Sequence, residues 1–388
     1  MGGAEVITSV RARVFTTTAH TAIDEGGHRH PSEPHEVREA LLEITDADGV
    51  TGYCQVQPDQ VRPSVLEKHV RPVLLGQDPW DRERLWRELA HRQRGAHGGF
   101  TDRALGYVDQ ALWDLVGRRV DLPVWKLLGG ARDRVPAYAS TMCGDTTPGG
   151  LASPQDYAAF AKRLVGQGYR AIKLHTWMPP VPGAPSVRMD VEACEAVREA
   201  VGPDVELMLD ANHWYRRTEA LELGRAVQRL GFSWFEEPME EASASSYRWL
   251  AEQLDVPVIG PEVAWGKHMA RAEWVSTGAC DILRAGANGC GGITPVLKVL
   301  HLAESFGMDC EVHGNGSASL ALLGASDASR WYERGLLHPH VDFDLVPPHL
   351  NSIVDDLDED GFVALPTLPG LGDDWNLDHV STHVVDSW

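Results

Sequence analysis

An α/β fold, a TIM-type barrel preceded by a separate α+β segment, is what this sequence predicts, and three observations carry the prediction. From residue 134 onward, short apolar runs alternate with amphipathic helical patterns. There are seven such runs and a weaker eighth around 327–333. Three of them end in a carboxylate, at equal 26-residue steps. Strand-helix alternation specifies parallel strands covered by helices. Seven or eight repeats favour a closed barrel over an open sheet, because closure leaves no unpaired edge.

The elements before the barrel read differently. Residues 4–15 (AEVITSVRARVF) and 37–45 (VREALLEIT) read as strands, and TDADGVTGYCQV as a tight acidic-glycine turn into a third. Between the first two lies TTAHTAIDEGGHRHPSEPHE, a polar stretch with four histidines, read as a long functional or mobile loop. Residues 59–128 carry helical patterns, clearest in DRALGYVDQALWDLVGRRV, where Ala104, Val108, Ala111, Leu112 and Leu115 recur at helical spacing. LPVWKLLGG closes this stretch, and a boundary falls near residue 132. The barrel strands follow as VPAYAS (135–140), YRAIKLH (169–175), VELMLDAN (205–212), FSWFEE (232–237), VPVIGPE (256–262), CDILRAG (280–286) and MDCEVHG (308–314).

Composition bounds the function. Apolar residues make up 43% and charged residues 23% of 388, the balance of a folded soluble chain. A formal charge of −21 argues against a face for nucleic acid or anionic lipid, so neither nucleic acid nor membrane is expected as a partner. The six cysteines are scattered without a CxxC pair and read as reduced thiols. No apolar run resembles a signal peptide or reaches membrane-spanning length, and a cytoplasmic protein is expected.

In a barrel of this type, chemistry belongs at the C-terminal strand ends. Asp210, Glu236 and Glu262 each sit where an apolar run gives out (MLD, WFE, IGPE). Three converging carboxylates repel unless a cation holds them. Hard oxygen donors without Cys or His select Mg²⁺ or Mn²⁺. Helix capping or neutralising a nearby base is the plain reading of any one of these acids alone. Glu237 is expected to point away from Glu236 if the strand persists. Lys173 and His175, two apart at a strand end, face the same side, where mutual repulsion would depress both pKa values and leave a neutral base. His313 ends the run CEVH on the opposite flank. A base on one face and an acid on the other would suit removal of a proton next to a metal-gripped carboxylate. Asn212 is a candidate donor to a substrate oxygen. Glu333, near the eighth strand end, is a candidate donor to an oxyanion if protonated. The plain readings are a structural histidine for His313 and a salt bridge for Glu333.

Taken together, YRAIKLH, LDAN, WFEEP, the glutamate of GPE and EVHG resemble the enolase superfamily, in particular its mandelate racemase/muconate lactonizing branch, over nearly the whole chain. The resemblance implies a modified (β/α)7β-like barrel at 133–345 and an N-terminal α+β capping domain at 1–132. A C-terminal segment at 346–388, with PTLPGLGDDW, would return to the cap. It also implies an Mg²⁺-dependent lyase acting on a small-molecule carboxylate, specifically an acid-sugar (aldonic or aldaric) dehydratase, and a homo-oligomer. In such a lyase His175 would be the base, aided by Lys173, and His313 the acid. Racemisation or epimerisation, lactone cycloisomerisation and a non-catalytic scaffold are the alternatives. Two departures stand out. His175 replaces a lysine, and Gly286 occupies the position of the aspartate that would orient His313, while Asp281 should lie at the other end of the barrel. The loop TWMPPVPGAPSVRMD (176–190), with four prolines, and the segment 16–35 should shape substrate choice, with His28 and His30 the candidate substrate contacts.

Overall fold

The computed structural model describes residues 6–25 and 27–388. Three antiparallel strands open it: β1 (Ile7–Ile23), β2 (Arg29–Asp46) and β3 (Thr51–Val56). The polar stretch read as a long loop is strand on both sides of a short turn, out to Ile23 and from Arg29. β1 and β2 stay paired out to Ile23 opposite Arg29, with register shifts between Ile7 and Ser9 and between Ala19 and Thr21, forming a ribbon that turns between Asp24 and His28. Histidines and charged residues hid this in the sequence, because an exposed ribbon needs no apolar face. Its β-branched residues Thr16, Thr17, Thr18, Thr21 and Ile23 were the available signal.

The buried faces of these strands pack on the helix Asp102–Arg119. Thr101 caps that helix, accepting from the Ala104 N–H. All five residues expected in its core stripe are at most 1% exposed. At Gly52 the sheet comes so close that a Cβ would lie 2.3 Å from the Ala111 carbonyl, which is why glycine stands there.

The barrel follows as eight parallel strands: β4 (Arg134–Thr141), β5 (Ala171–His175), β6 (Glu206–Asp210), β7 (Trp234–Glu236), β8 (Val258–Ile259), β9 (Leu283–Ala285), β10 (Cys310–Val312) and β11 (Tyr332–Leu337). The eighth begins five residues later than the sequence suggests. β11 pairs with β4, the order runs from β4 to β8, and a parallel bridge between Ile259 and Ile282 leads on to the β9–β10 pair. β12 (Phe362–Ala364) lies antiparallel on β4, and β13 (Val384–Ser387) pairs antiparallel with β1. The first unit is fastened to the barrel mouth: Trp86 Nε1 donates to the Gly291 carbonyl at 2.7 Å and Trp113 Nε1 to Thr294 Oγ1 at 3.1 Å. Among the described residues, no helix is long and apolar enough to cross a membrane.

Inside the barrel, strand alternation builds the site in layers. Tyr138, Ala171, Met208, Trp234, Ile259 and Trp331 form an apolar floor, with Ile282 packed against it. Two residues further along the same strands, the inward positions become Ser140, Lys173, Asp210, Glu236, Arg284 and Glu333. A charged layer therefore rests directly on a hydrophobic one.

Candidate active site

β5, β6 and β7 are paired so that His175 lies opposite Asp210, and Asp210 opposite Glu236. Lys173 Nζ sits among three carboxylates, 3.3 Å from Asp210 Oδ2, 3.0 Å from Glu236 Oε2 and 3.0 Å from Glu333 Oε1. Arg284, with no exposed surface, places Nε 2.6 Å from Glu236 Oε1 and 3.5 Å from Glu262 Oε2, and Nη2 2.8 Å from Glu333 Oε2.

These cations correct two expectations. Lys173 is not a depressed, neutral base. Burial alone would lower its pKa, but Glu236 and Glu333 outweigh burial and raise it well above the usual lysine value. Glu333 is not a protonated donor. Burial pushes its carboxyl up, yet Lys173 and Arg284 hold it well below the usual carboxylate range. It accepts from Ser140 Oγ at 2.9 Å and from the Gly314 N–H at 2.8 Å, as an ionised carboxylate must.

The acids divide by surroundings. Burial raises Asp210, but His175 and Lys173 overcome it and keep the group ionised. Burial likewise raises Glu262, but His313 brings it down to about 2. Glu236 is raised by burial, offset only in part by Arg284 and Lys173. β7 stops at Glu236, and Glu237 takes φ 44°, a left-handed conformation that swings its carboxylate back over the strand ends instead of away. Oxygens of Asp210, Glu237 and Glu262 consequently lie within 4.8 Å of one another. Burial, then Glu262 and Asp210, push Glu237 well above the usual glutamate range. His213 Nε2 stands 2.9 Å from its Oε1.

The donor set fits a hard divalent ion. Three carboxylates bring oxygens together with Glu236 on the neighbouring strand, and Glu236 Oε1 and Glu237 Oε1, though near basic groups, have no aligned hydrogen-bond donor.

The two candidate proton-transfer groups flank this spot. His175 Nδ1 lies 2.8 Å from the Thr141 carbonyl, which can only accept, so Nδ1 carries the proton and Nε2 is the atom free to gain or lose one. That Nε2 is 3.0 Å from Asp210 Oδ2. His313, its side chain 39% exposed, places Nε2 3.0 Å from Glu262 Oε1. Burial lowers its pKa, and Glu262 raises it by more, so the net shift is upward. Beside it, a Cβ on Gly286 would fall 2.8 Å from the His313 carbonyl and 3.1 Å from its Nδ1. The ring has taken the space an aspartate would need. Asp281 is at the opposite barrel end, accepting from the Val258 N–H at 2.9 Å.

Asn212 takes φ 48°, and its N–H donates to Asp210 Oδ1 at 3.0 Å while Nδ2 faces Cys143 Sγ at 3.7 Å. His28 and His30 lie at the ribbon tip, both turned to Asp24. The proline-rich loop is anchored by Trp177, whose Nε1 donates to the Leu151 carbonyl at 3.0 Å. Arg284 and Glu241 escaped the sequence reading. Arg284 was detectable as the inward position two beyond Ile282. Glu241 accepts from the Val263 N–H at 2.7 Å and the Ala264 N–H at 2.8 Å, fixing the loop that carries Glu262, and no periodicity marks it.

Fold and site together define a capped barrel enzyme with an acidic, cation-ready centre at its C-terminal mouth. The chain belongs to the mandelate racemase/muconate lactonizing enzyme family: residues 30–129 match its N-terminal domain and residues 156–379 match the enolase C-terminal domain-like model. It is 31% identical to a D-galactarolactone cycloisomerase of Agrobacterium fabrum, covering 96% of this chain and 97% of that one. It is 30% identical to an arabinonate dehydratase of Saccharolobus solfataricus, covering 87% and 88%. The crystal structure of D-glucarate dehydratase from Agrobacterium tumefaciens, complexed with magnesium, superposes with a TM-score of 0.98 at 55% identity, over 99% of this chain and 100% of that one.

Proposed function

We propose that this protein is a Mg²⁺-dependent acid-sugar dehydratase, acting first of all on a six-carbon aldaric acid. One observation carries the reading: carboxylate oxygens of Asp210 at the end of β6, Glu237 just past β7 and Glu262 in the loop after β8 come together, with His175 beside Asp210 and His313 beside Glu262. The relatives, two dehydratases and a cycloisomerase of sugar acids, support the substrate class.

Asp210 and Glu262 would hold the ion, with Glu236 as the third ligand. Glu236 is level with Asp210 in the strand register. Glu237 makes the closer approach to the other two and is paired with His213, while Glu236 is paired with Lys173 and Arg284, so the choice of Glu236 rests on its level with Asp210 in the strand register. When bound, the ion supplies positive charge that lets a substrate carboxylate tolerate a second negative charge. His175 Nε2 takes the α-proton, with the Thr141 carbonyl holding the ring in orientation. Lys173, kept charged, stabilises the developing enediolate, and Glu333 fixes Lys173 and Arg284 in place. His313 gives a proton to the departing β-hydroxyl, and the resulting enol becomes a 2-keto acid. Asn212, His28 and His30 stand at the rim for the far end of the substrate. The cycloisomerase relative keeps lactone cycloisomerisation as the second reading. We also propose a cytoplasmic homo-oligomer: the six cysteines are free and buried, and Val263, Trp265 and Met269 leave an apolar face exposed.

A panel of aldonic and aldaric acids with Mg²⁺, read for 2-keto acid and for solvent deuterium at the α-carbon, tests the reaction. Water loss with keto acid is expected. Exchange into an otherwise unchanged substrate would mean epimerisation instead, and neither signal would leave a scaffold. Calorimetry tests the ligands: Glu236→Gln should abolish Mg²⁺ binding and Glu237→Gln only weaken it, and the reverse result would move the third ligand to Glu237.

A further inference from the structure

The tip of the β1–β2 ribbon carries a second cluster of donors, apart from the barrel carboxylates. Asp24 is the hub. Its Oδ2 lies 2.9 Å from His30 Nε2 and 3.4 Å from His28 Nδ1, while its Oδ1 accepts from the His28 N–H at 2.9 Å. The turn is tied independently of these side chains, by Asp24 N–H to the His28 carbonyl and Gly27 N–H to the Asp24 carbonyl, both at 3.0 Å. The two imidazoles therefore have no part in closing it.

Three features point to a ligand. One atom each from Asp24, His28 and His30 lies within 4.8 Å of the other two. His28 Nδ1, in a side chain only 11% exposed, is buried with no hydrogen-bond partner, its 3.4 Å approach to Asp24 Oδ2 being an ionic contact alone. Bonds of about 2.0–2.1 Å at tetrahedral angles place donor atoms roughly 3.3 Å apart, close to the two separations found here. The nearby His338 differs. Its Nδ1 accepts from the His340 N–H at 3.1 Å and its Nε2 donates to Asp145 Oδ2 at 2.6 Å, so neither nitrogen has a lone pair to offer.

We propose that Asp24, His28 and His30 form a transition-metal site, most suited to Zn²⁺, that clasps the ribbon tip. Two imidazoles and one carboxylate favour Zn²⁺ over Mg²⁺. Three protein ligands leave a coordination position for water or an oxygen ligand. The tip lies near the barrel mouth, where Asp24 acts electrostatically on Cys143 and His30 on His338. A bound ion would thus place a positive charge at the rim, separate from the Mg²⁺ centre. The inference does not need the dehydratase reading, but it takes His28 and His30 as metal ligands in place of the direct substrate contacts proposed above.

The test uses the full chain saturated with Mg²⁺ and dialysed against Zn²⁺, with metal counted by mass spectrometry and Co²⁺ as an optical probe. One Zn²⁺ per chain should bind in the presence of excess Mg²⁺. His28→Ala and His30→Ala should each weaken it at least tenfold, with thermal unfolding in the absence of Zn²⁺ unchanged, whereas His338→Ala and Asp210→Asn should retain it. Equal Zn²⁺ affinity in the wild type, His28→Ala and His30→Ala would overturn the proposal. So would displacement of the Zn²⁺ by Mg²⁺, or its loss in Asp210→Asn alone.

Discussion

Arg284 has no exposed surface and faces Glu236, Glu262 and Glu333, so its side chain cannot be removed without stranding buried negative charge. Arg284→Met should lower unfolding stability by about 3–5 kcal/mol in a denaturant titration without added metal. At His313 the expected effect is chemical. His313→Asn should cut keto-acid formation by roughly 10²–10⁴ while α-deuterium exchange continues, because His175 still reaches the proton. Equal loss of both signals would remove His313 from the role of acid. Restoring an aspartate at 286 would not rebuild a dyad, since its Cβ would collide with His313. At this scale the sequence was half legible. Equal spacing singled out Asp210, Glu236 and Glu262, whereas the oxygens that come within 4.8 Å of one another are those of Asp210, Glu237 and Glu262, and protonation depends on neighbours brought from other strands. Lys173 looked depressed beside His175, and only its contacts with Glu236 and Glu333 show that it is charged.

Elements were legible where burial imposes a period. The helix Asp102–Arg119 and the barrel strands declared themselves through apolar spacing, whereas the exposed β1–β2 ribbon has no buried face over its outer half and read as loop. Where β7 ends also escaped notice, because one left-handed residue decides it. Helix docking outside the barrel gives a pH prediction. Asp190, in the helix Val187–Val201, is fully buried and accepts from Tyr215 Oη at 2.5 Å, on the segment leading into the helix Arg217–Arg229. Burial, offset in part by Tyr215 and Thr176, raises its pKa from 3.8 to about 7. The folded state then binds the extra proton between those two values, so stability falls as pH rises through that window. From pH 5.5 to 7.5 the wild type should lose about 2 kcal/mol relative to Asp190→Asn, measured by denaturant unfolding at each pH. Parallel pH profiles for the two proteins would show that the carboxyl is ionised throughout.

For the molecule as a whole, the barrel and its preceding α+β segment followed from sequence because strand-helix repetition is a long-range pattern, while the ribbon reaching back over the mouth is a tertiary fact without a local signature. The charged layer makes the whole domain sensitive to cations. By mass action, Mg²⁺ at a hundred times its dissociation constant should stabilise the fold by about 2.7 kcal/mol. EDTA should therefore lower the thermal midpoint, and Asp210→Asn should abolish that difference.

β13 lies beside β1, and Trp388 donates through Nε1 to the Val61 carbonyl, 327 positions away. The edge of the sheet that β1 forms therefore stays bare until a strand far along the chain folds back to cover it. A chain cut short of β13 would display that edge to its neighbours, and self-association of such a truncation, absent from the full chain, is the expected consequence.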